Sequence, residues 1–266
     1  MRKPLAFLLR EVITFTTYRT ALILQLFSMV ISLASYFFLA QLVGNNLIPL
    51  LTPYGGDFLS FLLIGVIFQN FFAVSQNTFS GAVSSEQRLG TLEILLASGL
   101  KPWEFLFYSA LWPYLLTLLN SSLIFGLGLL VFGMKLSPNI GLALLSFLLT
   151  IISVAGIGMI SAGIILVNKQ GDPISWFMGM LSGFLSGVYY PVEIFPSWLQ
   201  GLAQVLPQTH GLRALRLSLL QHAGWEAVGS EIMILLAFSL LTIPLGVLTF
   251  RWAFRKVRRD GTLGFY

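Results

Sequence analysis

SSEQRLGTLEILLASGLKPWE, residues Ser84 to Glu104, is the longest charge-bearing interval between hydrophobic runs on the side assigned below to the cytosol. It carries Glu86, Arg88, Glu93, Lys101 and Glu104, and long, almost uncharged runs flank it on both sides. Ser84 with Gln87 three residues on fits a capping-box start. Leu89, Leu92 and Leu96 fall at helical spacing while Glu93 points elsewhere, and Gly99 and Pro102 are stop signals. The pattern predicts a short amphipathic helix slung between two membrane spans and showing water a leucine stripe. A solvated loop has no need of that stripe, whereas a docking element for another protein does.

Working outward, the flanking runs set the class. Of the 266 residues, 56% are hydrophobic and only 9% charged, against about 25% charged in soluble domains, and the mean hydropathy is +0.87. A soluble fold of this composition would lack the polar surface to cover itself. The runs are continuous rather than alternating, so the expectation is an all-α polytopic membrane protein and not a barrel. Six transmembrane helices are expected at 21–43, 58–79, 105–132, 140–167, 174–190 and 232–250. An amphipathic lead at 3–20, with Leu5, Leu8, Leu9 and Val12 on one stripe, reads as a helix lying in the membrane interface. No cleavable leader is expected, since the first long apolar run is a full span rather than a short signal core.

Orientation follows from the basic residues. With the amino terminus in the cytosol, the inner segments hold Arg2, Lys3, Arg10, Arg19, Arg88, Lys101, Lys169, Arg251, Arg255, Lys256, Arg258 and Arg259. The outer segments hold only Lys135, Arg213 and Arg216. This asymmetry puts both termini and the 84–104 segment in the cytosol. It also explains the net charge of +5 without a nucleic-acid partner.

The outer block 191–228 is different. Its first half is apolar but too short to cross and is broken by Pro196 and Gly201, which suits a re-entrant hairpin. Phe195, Trp198 and Leu199 are expected as apolar closing residues of an external gate, with Arg213 and Arg216 anchoring the second piece near lipid phosphates. Ser175, Gly179, Gly183 and Gly187 repeat every fourth residue, a small-residue stripe expected to admit a close helix contact. In the second span, Gln69, Asn70, Gln76 and Asn77 bring amides to membrane depth. Gln69, Phe72 and Gln76 are therefore expected to line a translocation path, with helix–helix hydrogen bonding as the alternative.

Several chemistries find no support. No ionisable residue falls inside the six runs, which argues against proton coupling. There is no phosphate-binding GxxxxGK[ST] loop, no HExxH cluster and no cysteine. No metal site is expected. His210, His222, Glu193 and Glu226 are the one set that could be catalytic, and they read more simply as polar groups of an exposed hairpin. A transporter-like body without an energy source, joined to a cytosolic docking helix, points to an energy-supplying partner.

Two motifs give the chain a resemblance over essentially its full length. EQRLGTLEILLASGL at Glu86–Leu100 is similar to the "E-x-x-x-GTLE-x-LL-x-(S/T)-x-L" segment of ABC-2-type ABC exporter permeases. GVYYPVEIFPSWLQGLAQVLPQTHGLRALR at Gly187–Arg216 is similar to that family's block after the fifth span. The resemblance implies a six-helix half-transporter in the cell membrane that pairs with a second, identical half and with two separate ATP-binding subunits. ATP and Mg would then sit in those partners, and this chain would bind no cofactor. It further implies that 84–104 is the coupling helix, with Arg88, Leu92, Glu93 and Leu96 as coupling residues, and that the outer block closes the pathway. The GTLE string favours a drug, lipid or small-molecule exporter over a carrier of lipid-linked polysaccharide. An ATP-independent channel or secondary carrier, and a membrane enzyme, are the competing functions.

Overall fold

The computed structural model describes residues 2–17, 19–43, 51–55, 57–169 and 171–260. Among them there are ten α-helices and no strand. They are α1 (Arg2–Thr17), α2 (Arg19–Val43), α3 (Phe58–Arg88), α4 (Leu92–Ala97), α5 (Pro102–Leu130), α6 (Ile140–Asn168), α7 (Pro173–Leu185), α8 (Ser197–Ala203), α9 (Pro207–Leu220) and α10 (Trp225–Arg259). Five of them, α2, α3, α5, α6 and α10, are long and apolar enough to cross a membrane.

Local chemistry starts three of the helices. Asp57 accepts a hydrogen bond from Ser60 N–H at 3.0 Å and opens α3. Glu104 accepts from Lys101 N–H at 3.1 Å and fastens the first turn of α5 behind Pro102. Asp172 accepts from Ser175 N–H at 2.9 Å and opens α7.

The middle of the molecule is α3, α6 and α10. Most of the apolar stretch of α3 is buried, whereas α2 is almost wholly exposed along its length. The most extensive helix contact is between α6 and α10. A Cβ on Gly246 would stand 2.5 Å from the Gly156 carbonyl oxygen, and one on Gly156 would stand 2.5 Å from Thr242. Ser153 and Ser239 hydroxyls meet at 2.8 Å, and Thr242 Oγ1 donates to Ser153 O at 2.8 Å. Small residues let the two backbones approach, and hydroxyls then bind them across the seam.

The structure differs from the sequence expectations at four places. α3 does not stop near residue 79 but continues through Ser84 to Arg88, so Ser84 starts no new helix. Its side of the turn stays helical because Glu86 and Gln87 are buried against other elements and hold it there. α7 ends at Leu185. At 1.5 Å per residue it reaches about 20 Å, short of the ~30 Å of hydrocarbon that the expected span 174–190 was to cross. The helix yields because Gly187 takes a left-handed backbone (φ 80°) and the chain beyond it packs on Arg216. The block 191–228 comprises a 3₁₀ turn at Val192–Ile194, α8, α9 and the start of α10. Finally, α10 extends well beyond 232–250 at both ends, from Trp225 to Arg259.

The small-residue stripe is also placed differently. Ser175 is buried and a Cβ on Gly179 would stand 4.0 Å from Gln76, but among the described residues nothing lies within 4 Å of a Cβ on Gly183. Gly187 lies beyond the helix, so α7 presents only half the stripe to its own fold.

Candidate functional site

At the end that the basic residues are expected to place in the cytosol, the GTLE motif builds a corner. Glu86, in the last turn of α3, is 5% exposed and accepts from Arg10 Nη1 of α1 at 2.9 Å. Its other carboxylate oxygen accepts from the Thr91 hydroxyl. Gly90 takes φ +67°, a left-handed residue that ends the helix and favours glycine. Its N–H donates to Gln87 O at 3.0 Å and that of Thr91 to Glu86 O at 3.0 Å. Glu86 thus ties together the interfacial helix, the end of α3 and the start of α4. Arg10 is held charged against partial burial, because Glu86 and Glu11 both favour its cation. The helix α1 also leans on α5 through Phe7–Tyr108 at 5.8 Å and Phe15–Trp112 at 5.2 Å.

Behind this corner lies a packed cluster of Val83, Leu92, Leu100, Phe105, Leu166, Phe250 and Val257. In front of it Arg88, Leu89, Glu93 and Ile94 face outward.

At the opposite end, α9 carries a buried cation. Arg216 is 3% exposed. Its guanidinium donates to Phe61 O at 3.0 and 3.2 Å, Gly187 O at 2.7 Å and Val188 O at 2.8 Å, and it lies 3.3 Å from the Phe61 ring centre. Gly65 makes the room, since a Cβ there would collide with both Val188 O and the guanidinium. Burial pushes Arg216 down to about 9, with Tyr54 and Glu193 opposing, which still leaves it charged at neutral pH. Six residues earlier, His210 Nδ1 meets Glu231 Oε2 of α10 at 2.5 Å, and Arg213 stands 3.4 Å from the same carboxylate. α8, α9 and the chain after α7 thereby form one outer cap fastened to α3 and α10.

At mid-depth, Gln76 donates to Ser175 O of α7, and Gln208 of α9 donates to Gln69. Gln76 is 1% exposed and Phe72 is buried.

The description "ABC-2 family transporter protein" matches residues 42–248. The chain belongs to the ABC-2 family. Among curated relatives of this ABC-2 chain, "Probable multidrug ABC transporter permease YbhR" of Escherichia coli K12 is 25% identical over 177 residues, covering 66% of this chain and 47% of the relative. "ABC transporter G family member 20" of Dictyostelium discoideum is 26% identical over 218 residues, covering 77% of this chain and 29% of the relative. The chain spans about half or less of the length of these relatives. The family is that of transport permeases, multi-pass and helical, and the helices described here accord with it.

Within this ABC-2 fold the expected site residues take separate places. Arg88 and Glu93 lie on the exposed front of the cytosolic corner. Leu92 does not: it is 2% exposed and packs into the cluster behind, because α4 is short and turns that face toward α3 and α5. The side chain of Leu96 lies outside the described residues. The outward apolar residues are Leu89, which the expected stripe contained, and Ile94, at 70% and 69% exposure; a single helix from Ser84 concealed Ile94, because α3 ends at Arg88 and a new helix starts at Leu92. Gln69 and Gln76 are engaged in helix packing within the chain, and Phe72 is buried beside them. Phe195 packs edge-on against Tyr190 at 5.4 Å and tilted against Phe184 at 5.5 Å, Leu199 joins a cluster with Leu185, Ala203 and Leu206, and Trp198 stands 67% exposed.

Arg216 corrects its expected place near lipid phosphates, since carbonyls and a ring enclose it. Arg213 does stand outward, beside Glu231. Of His210, His222, Glu193 and Glu226, His210 and Glu193 line a common cavity with Tyr54, Arg213 and Arg216, and the other two stand apart from it. His222 faces Pro138 O, Glu193 accepts from Tyr54, and Glu226 is exposed. The sequence signals for Arg216 were Gly65 and the irregular Gly187–Pro191 run, both unreadable without knowing that they meet.

Proposed function

We propose that the chain is the permease subunit of an ATP-driven exporter that moves a hydrophobic or amphipathic substrate, such as a drug, lipid or small molecule, across the cytoplasmic membrane. Separate ATPase subunits, carrying ATP and Mg, engage the cytosolic corner, and a second, identical permease half completes the transporter. The observation that carries this reading is the corner itself. A rigid, cross-tied turn presents Leu89 and Ile94 to the cytosolic side, flanked by Arg88 and Glu93, and nothing in the fold requires such apolar residues there. The family supports a partner ATPase, and the multidrug wording attached to a relative supports export. The exposed α2 leaves a face for lipid or for the second half.

The test is to coexpress the chain with the ATPase encoded beside it and to copurify the two. Leu89→Ser together with Ile94→Ser should release the ATPase while leaving the permease inserted and monodisperse, because both side chains are mostly outside the packed core. Copurification of an intact, ATP-hydrolysing complex from the double variant removes the docking reading.

A further inference from the structure

A second candidate site lies at mid-membrane, away from the cytosolic corner and the outer cap. Helices α2, α3 and α5 enclose a partly open cavity of 430 Å³, within the range of small-molecule sites. Gln25, Ser32, Asn70, Thr117 and Asn120 contribute polar side chains to its wall, and Met29, Leu33, Val66 and Ile124 contribute the apolar part. At 1.5 Å per residue, Asn70 and Asn120 both lie about 15–18 Å below the outer ends of their helices. No Asp, Glu, Lys, Arg or His lines the cavity.

The polar groups here differ from Gln69 and Gln76 in one respect. The side chains of Gln25, Ser32, Asn70, Thr117 and Asn120 form no hydrogen bond among the described residues. Unpaired amides in hydrocarbon are costly, and such groups are retained where protein, water or a ligand satisfies them. Three carboxamides and two hydroxyls supply donors and acceptors in about equal measure but no charge. A charged ligand would be left uncompensated there.

We infer that this cavity is a binding site for an uncharged amphiphile whose hydroxyl- or amide-bearing head meets Gln25, Asn70 and Asn120 and whose apolar tail lies along Met29, Leu33 and Ile124. The exposed positions Ser28 and Ser32 mark its open side, which admits a molecule already dissolved in the bilayer. The inference names the cargo class of the exporter proposed above and to that extent rests on that reading. Its test needs neither ATP nor a partner.

Purified chain in phosphatidylcholine nanodiscs is irradiated with a diazirine-bearing monoacylglycerol. The same acyl chain ending in a carboxylate or in trimethylammonium serves for comparison. The neutral probe should label α2, α3 and α5 peptides saturably, be displaced by unlabelled monoacylglycerol, and exceed both charged probes. Asn120→Leu and Gln25→Leu should each lower labelling about fivefold, as loss of one hydrogen bond implies; Gln25 lies on the lightly packed α2, so its variant guards against misfolding. Equal labelling by all three probes, or unchanged labelling in both variants, overturns the site. So does a Ser32→Cys disulfide between two copies that excludes the probe, since a second chain then covers the cavity. Access of a water-soluble thiol reagent to Asn120→Cys with no probe retained would assign the cavity to water. Binding as expected without ATP-dependent transport of the neutral amphiphile would sink the export reading and leave the site standing.

Discussion

Replacing Arg216 by Met tests the outer cap directly. Three backbone carbonyls converge on the guanidinium, those of Phe61, Gly187 and Val188. Phe61 lies inside α3 and its carbonyl also serves the helix. Gly187 and Val188 lie beyond α7 in an irregular stretch and have no such second role. Removal of the arginine leaves two buried acceptors unpaired, at about 1–3 kcal/mol each, or about 2–6 kcal/mol together. This spans the range expected for breaking a buried charged contact, about 3–5 kcal/mol. At 2–4 °C per kcal/mol for a chain of this size, the melting midpoint should fall by about 4–24 °C. A local readout isolates the cap. The chain has no cysteine, and Val188 is 1% exposed, so Val188→Cys should resist maleimide in the parent and react in the Arg216→Met background. Arg216→Lys should fall between, because an ammonium keeps the charge but not the planar fork. A midpoint within about 2 °C of the parent, less than 1 kcal/mol on the same scale, together with a Val188→Cys thiol that stays protected in the Arg216→Met background, would refute the account.

Three further outcomes follow from the same geometry. Gly246→Leu would drive a side chain into the Gly156 backbone and should cost at least about 1–3 kcal/mol of stability through overpacking, read as loss of monodisperse protein, while Gly183→Ala should have little effect within the chain. His210 is raised above 6.5: burial works against its charge, but Glu231 and the Gln204 carbonyl outweigh burial. Its contribution is therefore complete below pH 6.5 and declines as pH rises through the folded value, so exchange protection in α9 should weaken as pH rises above 6.5 in the parent and not in His210→Gln. A disulfide between two copies carrying Trp198→Cys requires Cα atoms within about 7 Å; if the cap gates the pathway, this bond should stop export reversibly while ATP hydrolysis persists in part, and equal export before and after reduction would make the cap a static lid.

The sequence alone determined the class and most helices and set the expected orientation, because the signals for these are additive along the chain. Apolar runs near 20 residues and the sidedness of Lys and Arg need no knowledge of what packs on what. Gly99 and Pro102 likewise announced a helix stop, each a local backbone constraint, whereas the helix expected from Ser84 runs through Gly90, where the structure breaks it. Tertiary structure decided everything that depends on facing. Gln69 and Gln76 turn toward α9 and α7, whereas Asn70 turns into the cavity, although one helix carries all three. Leu92 is covered and Leu89 is bare because α3 runs on to Arg88 instead of restarting at Ser84. The tight glycine seam joins α6 to α10, while the more regular stripe on α7 stays half unused. A buried Arg216 was legible only once Gly65, Phe61 and Gly187 stood around it. Helical periodicity says which residues share a face, but in a chain apolar on every side it does not say whether that face meets protein, lipid or water. Only the partner surface, brought from a distant part of the sequence, supplies that difference in solvation.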